Sequence, residues 1–330
     1  MRASRRPRIA PRTDDVGAVR ALVAVLAIVA AASSLGACRA DARDASRPAG
    51  DDRPSAAAPA APRDDFGRAI PIPASTAAAP ARIVSLDPTT TELLFALGAG
   101  GRVVGRTHWD LYPDSAGLVP DLGDGLRPNV ERVLAARPSL VLLYASADNA
   151  PAADRLAAAG VPTLALRIDR IADFRRAALL VGAAIGDTAR ARTVIDSVDA
   201  TLERVRRATA PLPHPRVFYA LVDSPLYTIG GGSFLDELVT VAGGRNVYGD
   251  SPEASPQVSL EDVLRRDPDV VLAAAPSVAK ILAAPAWRPL RAVREGRVVA
   301  VDEALVERPS VRLGEAALHL ARLLHPDVRP

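Results

Sequence analysis

Asn129-Val-Glu-Arg-Val-Leu-Ala-Ala-Arg-Pro-Ser-Leu-Val-Leu-Leu143 aligns without a gap on Ser259-Leu-Glu-Asp-Val-Leu-Arg-Arg-Asp-Pro-Asp-Val-Val-Leu-Ala273. At a constant offset of 130, Glu131 matches Glu261, Val133 matches Val263, Leu134 matches Leu264 and Pro138 matches Pro268. Both copies imply the same local structure. Asn129 or Ser259 supplies an N-cap oxygen, and Glu131 or Glu261 follows in the first helical turn, where the macrodipole favours an acid. The helix stops before the proline. The apolar runs Leu140–Leu143 and Val270–Ala273 come next, as expected of parallel strands buried on both faces. A second match, Ala99-Gly-Gly-Arg-Val-Val104 on Ala242-Gly-Gly-Arg-Asn-Val247, lies at offset 143. Two copies this far apart predict two similar lobes rather than a solenoid.

Working outward, Ile83–Leu86 reads as a strand and Thr89–Leu97 as a helix, with Thr89 and Glu92 as a capping box and Gly98 as its stop. Strands alternating with helices give an α/β fold of two Rossmann-like lobes with parallel sheets. Between the copies, Ile171–Ile185 ends at Gly186-Asp187, and a second helix runs from Thr188 to about Ala208. Its apolar residues Val194, Val198, Leu202 and Val205 share one face. One long rigid helix between lobes predicts a stiff connection and little closure. The expected organisation is an N-terminal lobe over 66–170, a helical linker over 171–210 and a C-terminal lobe over 211–330.

The hydrophobic content of 49% and charged content of 24% are those of a globular protein. With five Phe, five Tyr and two Trp, the core must be built from Ala, Val and Leu. The formal charge of +3 is misleading, because six arginines and two aspartates give residues 1–38 a net +4 and leave −1 for the rest. That remainder offers no broad phosphate-neutralising surface, which excludes a nucleic-acid partner. The Arg-rich start, the apolar run Ala21–Ala32 and the small residues before Cys38 describe a secretory signal over 1–37. The run is too short to span a bilayer comfortably. Leu35-Gly36-Ala37-Cys38 resembles a bacterial lipobox, which makes Cys38, the single cysteine, a lipid attachment site in the cell envelope. Residues 38–65, rich in Ala, Pro, Asp and Arg, read as a flexible tether. Ala69–Ile72 reads as an edge strand.

Arg82-Ile-Val-Ser-Leu-Asp-Pro-Thr-Thr-Thr-Glu-Leu-Leu-Phe-Ala-Leu-Gly98, Thr228-Ile-Gly-Gly-Gly-Ser-Phe-Leu-Asp-Glu-Leu238, Gly243-Gly-Arg-Asn-Val247, Pro256-Gln-Val-Ser-Leu-Glu261 and Asp267-Pro-Asp-Val-Val-Leu272 stand in this order. Together they resemble the cobalamin and iron-siderophore class of periplasmic solute-binding proteins, over residues 66–330. The nearest resemblance is to its vitamin B12-binding branch. It implies a monomer with a ligand cleft between the lobes, which delivers its ligand to an ABC transporter permease with its ATPases. No cofactor is implied beyond the transported ligand, cobalamin or a related corrinoid, with a ferric siderophore or haem as the alternative. The resemblance also assigns Glu131 and Glu261 to permease docking. On their own, the residues read equally well as acids of the first helical turn.

A macrocycle with flat faces and amide edges calls for aromatic walls and a few polar groups. Trp109, Tyr144 and Tyr227 fall on aromatic ligand positions of the class, and Arg308 on a cleft arginine. All three aromatics follow predicted strands, at the carboxyl ends where α/β crevices form. Trp287 reads as core. Gly125 stands where the B12-binding branch carries a tryptophan, Ser255 replaces an aromatic residue, and Ala304 replaces an acid. His108, beside Trp109, reads as a surface or hydrogen-bonding residue rather than a ligand to cobalt or haem iron, and His214, His319 and His325 show no metal-ligand spacing. Gly230-Gly231-Gly232-Ser233 lacks the lysine of a phosphate loop and reads as a turn into a helix capped by Ser233. No catalytic constellation is present, so a carrier rather than an enzyme is expected.

Overall fold

The computed structural model describes residues 62–327. The expected signal segment, Cys38 and nearly all of the expected tether lie outside the described residues. The N-terminal lobe contains β1 (Ile83–Leu86), α1 (Pro88–Ala96), β2 (Val103–Gly105), α2 (Val130–Ala135), β3 (Leu140–Tyr144), α3 (Ala150–Ala158) and β4 (Thr163–Leu166). Two helices follow, α4 (Ile171–Ile185) and α5 (Thr188–Thr209). The C-terminal lobe begins with β5 (Arg216–Ala220), the hairpin β6 (Val222–Asp223) and β7 (Leu226–Tyr227), α6 (Phe234–Val241) and β8 (Arg245–Asn246). It ends with α7 (Leu260–Arg266), β9 (Val270–Ala274), α8 (Ala275–Ala283), α9 (Arg291–Arg294), β10 (Val298–Val301), α10 (Glu303–Val306) and α11 (Leu313–Leu324).

The first sheet runs β2-β1-β3-β4 and the second β8-β5-β9-β10, every pair parallel. In both, the lobe's first strand is central, the second flanks it on one side, and the third and fourth lie on the other. The topology is duplicated along with the sequence. Even the backbone exceptions repeat, since Arg137 (φ 49°) and Asp267 (φ 39°) occupy aligned positions before Pro138 and Pro268. Left-handed backbone is costly for residues with side chains, yet each helix ends this way. Both N-caps form as the sequence predicts: Asn129 Oδ1 accepts from the Arg132 amide at 3.0 Å, and Ser259 Oγ from the Asp262 amide at 3.1 Å.

The strands read as continuous apolar runs because successive side chains enter different cores. Val84, Leu86, Val141 and Leu143 face α2 and α3, joining Val133 and Leu156. Phe218, Val271 and Ala273 join Val263 and Ile281 on the outer face of the second sheet. The inner faces share one cluster, from Ile83, Leu140 and Leu142 through Phe174, Val181, Val198, Leu202 and Val205 to Val217, Tyr219, Leu272 and Leu320. The 22-residue α5, about 33 Å long at 1.5 Å per residue, packs on α4 and α11 and carries this core from lobe to lobe. Gly186 (φ 80°) separates α4 from α5.

Two local expectations need correction. The N-cap of α1 is Asp87, which accepts from the Thr90 amide at 3.3 Å; the box of Thr89 and Glu92 does not form. Pro88 takes the first helical position, where its fixed φ suits the helix, so the cap must precede it. Ala69 makes only an isolated bridge to Arg63 rather than an edge strand. The edge of β4 is instead held by Asp64, accepting from the Ala165 amide at 3.1 Å, and by Asp65, whose amide donates to the Ala165 carbonyl at 2.9 Å. Among the described residues, no helix is long and apolar enough to cross a membrane.

Candidate functional site

In a parallel sheet every strand-to-helix loop emerges at the carboxyl edge, and the edge opens where chain order reverses, here beside β1 and β5. The loops from these two edges meet in a seam. After β2, the segment Thr107–Pro113 carries Trp109 and Tyr112 towards the segment Arg308–Arg312 that follows α10. Arg308 Nη2 donates to the Trp109 carbonyl at 2.8 Å, and Arg308 Nη1 lies 3.6 Å from Glu92 Oε1. Ser310 Oγ donates to Glu92 Oε2 at 2.5 Å, and the Arg312 guanidinium stands 4.3 Å from the Tyr112 ring centre. A second tie joins the start of α4 to the glycine loop and α6. There Arg170 Nη2 pairs with Glu237 Oε1 at 2.6 Å, Arg170 Nη1 donates to the Gly231 carbonyl at 2.7 Å, and the Phe234 amide donates to the Asp169 carbonyl at 2.9 Å.

The residues singled out by sequence sort themselves around these ties. Trp109 is half-buried, with the exposed His108 ring 4.3 Å away, and sits in the first. Arg308 belongs to the same tie, committed to Glu92 and Trp109 rather than extended freely. Tyr144, at the end of β3, is half-buried beside the second; its hydroxyl donates to Asp169 Oδ1 at 2.8 Å. Burial, with the Asp169 carboxylate, holds the Tyr144 phenol far above its usual range. Tyr227 is half-buried on β7 and bridges to Gln257 within its own lobe, so it is not brought to either tie. Trp287 packs on Phe218 in the outer core, ring centres 6.1 Å apart. Ser255 is buried and Ala304 exposed. A Cβ on Gly125 would stand 2.1 Å from the Leu86 carbonyl oxygen, so no side chain, least of all an indole, fits there without a shift. The Gly230–Gly232 run serves close packing: a Cβ on any of the three would meet a backbone carbonyl of the 249–253 segment at 2.0–2.4 Å. Ser233 caps α6, accepting from the Asp236 amide at 3.2 Å.

Sequence reasoning missed the acids beneath the seam. Asp110 is buried and accepts from Thr91 Oγ1 at 2.9 Å, the Thr107 amide at 2.9 Å and Thr107 Oγ1 at 3.0 Å; desolvation still raises its carboxyl. Burial, aided by Asp110, pushes the Asp87 carboxyl up to about 7. On the other lobe, burial and the neighbouring Glu303 push Glu307 up to about 8, with Tyr219 donating to it at 3.1 Å. Glu131 and Glu261 differ from all of these. Both are exposed in the first turns of α2 and α7, with no ion pair or hydrogen bond to a side chain among the described residues. The two acids lie in the first turns of the helices that lead into β3 and β9. Among the described residues no group of three His, Cys, Asp or Glu is placed to hold a metal. Shallow cavities of about 380 and 180 Å³ flank α2, lined by Leu122 and Arg132 and by Arg127, Val130 and Arg155, and no residue of the two ties lines either.

Two duplicated parallel lobes on one helix, meeting loop to loop at their carboxyl edges, define a solute-binding protein of the two-lobed α/β kind. The family model described as periplasmic binding protein matches residues 83–305, and the chain belongs to that family. It is a binding protein and not an enzyme. Among its relatives is the uncharacterized ABC transporter substrate-binding lipoprotein YvrC of Bacillus subtilis (strain 168), 30% identical over 75% of this chain and 81% of that protein. The vitamin B12-binding protein of Yersinia pestis (strain Pestoides F) is 31% identical over 73% of this chain and 85% of its own length. Among solved structures, the periplasmic heme-binding protein RhuT of Roseiflexus sp. RS-1 is 25% identical, with a TM-score of 0.68 over 74% of this chain and 98% of that one.

Proposed function

We propose that this chain is the substrate-binding lipoprotein of an ABC importer, anchored through Cys38, that takes cobalamin or a related corrinoid between its lobes and delivers it to the permease. The observation that carries the ligand class is the state of the arginines. An anionic ferric siderophore or haem calls for several guanidinium groups converging on the seam. Here Arg308 pairs with Glu92, Arg170 with Glu237, and Arg312 with Glu315 at 3.0 Å. Arg106 donates to the Ala116 and Thr107 carbonyls at 2.9 and 2.6 Å, and Arg167 to the Ala145 carbonyl at 3.1 Å. Arg127 is exposed, 3.9 Å from Asp148. A neutral, amide-edged ligand that stacks on Trp109 and Tyr144, the two aromatics beside the ties, suits this seam better.

Calorimetry with cyanocobalamin tests the reading: one-to-one binding at micromolar concentration is expected, weakened about tenfold or more by Trp109→Ala. Heat with haemin and none with cyanocobalamin would instead support the haem reading, which the likeness to RhuT favours. Glu131 and Glu261 take the docking role, one on each lobe, as free carboxylates for arginines of the permease.

A further inference from the structure

Glu92 is an acid with 2% exposure, set in the N-terminal lobe but bonded to the C-terminal one; burial raises its carboxyl above the usual range, and Ser310, Arg308 and Arg312 oppose that rise. Its two oxygens are divided: Oε2 takes the Ser310 hydroxyl, while Oε1 faces Arg308 Nη1 at 3.6 Å, within ion-pair reach but outside a hydrogen bond. The Arg308 side chain is 18% exposed. Among the described residues Glu92 is its one contacting acid, and the field of Arg308 also reaches Asp87 and Glu307. Glu92 Oε1 and Arg308 Nη1, which face each other, have no hydrogen-bond partner within the protein, and neither has Nε1 of Trp109, the residue whose carbonyl Arg308 holds. They comprise one acceptor and two donors. Buried polar atoms are rarely left so, because each costs the desolvation of the group.

We propose that Glu92 is the specificity-determining positioning residue of the seam, cancelling the charge of Arg308 so that the site takes primary carboxamides and turns away carboxylates. This rests on the ligand-binding reading above and adds the class of ligand edge. A carboxamide carries both an N–H for Glu92 Oε1 and a carbonyl for Arg308 Nη1 or Trp109 Nε1. A carboxylate offers acceptors alone and meets Glu92 as a like charge, the repulsive element that specificity requires.

The test uses the full chain carrying Trp287→Phe, so that Trp109 is the sole tryptophan. Fluorescence quenching by iodide, an anion, is compared with quenching by neutral acrylamide in four proteins: the parent, Glu92→Gln, Arg308→Gln and the double variant, each checked for folding by circular dichroism. Glu92→Gln keeps the acceptor for Ser310 and uncovers the guanidinium, so the iodide-to-acrylamide ratio rises about twofold or more. Arg308→Gln uncovers Glu92 and lowers the ratio, and the double variant returns it to the parent value. In parallel, Glu92→Gln improves binding of haemin, a dicarboxylate, about tenfold relative to cyanocobalamin. A parent protein that binds neither ligand removes the corrinoid reading and leaves the quenching result to decide on Glu92. An unchanged ratio in whichever of the two single variants folds, or a rise in Glu92→Gln that persists without Arg308, overturns the proposal.

Discussion

The helices α2 and α7 and the loops that each lobe brings to the seam behave in opposite ways. The helices match in the position of cap, first-turn acid, left-handed end and stopping proline. The loops share nothing: Thr107–Pro113 offers an indole and a guanidinium acceptor, whereas Gly230–Gly232 packs backbone on backbone. Each lobe must solve the same internal problem of turning a helix back onto a sheet, and one local solution serves twice. The seam joins two different surfaces, and there sameness has no advantage.

The shared inner core sets the largest expected effect. Leu202, on α5, belongs to the cluster that spans both lobes, so Leu202→Ala should cost about 2–5 kcal/mol in urea unfolding. Trp109 reports on the N-terminal lobe and Trp287 on the C-terminal one. Their transitions should coincide in the parent and in the variant, because neither lobe closes its inner face alone. Two separate transitions would show that the lobes fold independently and that α5 is only a link.

The face of α5 that enters that core was legible in sequence, and so was the doubled topology, because period and capping are local signals that a strand or helix carries with it. The seam was legible only where a residue's type was unusual. Trp109 and Arg308 stand out, although their mutual contact joins positions 199 apart in the chain. Glu92 was hidden by a plausible local role, three residues after a threonine, where a helix cap would use it. Its partner Ser310 lies 218 residues away, and nothing near either residue announces the pair. Gly125 shows the converse: its conformation needs no explanation, and only the Leu86 carbonyl pressing on it does.

The acids distinguish the lobes as well, and the next effect in size is their pH dependence. Glu307 has its carboxyl raised from 4.5 to about 8 in the fold, so the folded state holds this proton more tightly than the unfolded chain. Stability from that proton is fully present below about 4.5 and is lost as the pH rises through 8. Unfolding free energy should therefore fall by on the order of a few kcal/mol across that window. Glu307→Gln should flatten the profile and leave a smaller decline from Asp87, which titrates near 7. A steep profile in Glu307→Gln would place the responsible proton elsewhere.

The helices themselves predict smaller and matched losses. Asn129→Ala and Ser259→Ala each remove one cap acceptor, at 3.0 and 3.1 Å, and should each cost about 1 kcal/mol. Equal losses would support the equivalence of the two lobes. A cost confined to one of them would show that the matching sequence no longer carries matching energetics.

The smallest expected effect on stability falls two residues after the caps, in the first turns of the same helices. Glu131 and Glu261 are exposed and touch no partner side chain, so replacing both with alanine should move the unfolding free energy by less than about 0.5 kcal/mol each. Ligand affinity should be unchanged, because neither acid belongs to the ties across the seam. Uptake by cells should nevertheless be abolished if these carboxylates meet arginines of the permease, since two charge-assisted contacts, one per lobe, fix both position and orientation. Each single variant should be partly defective and the pair fully so. Loss of affinity in the double variant would move the acids into the ligand site, and normal uptake would return them to the plain role of helix-turn acids favoured by the macrodipole.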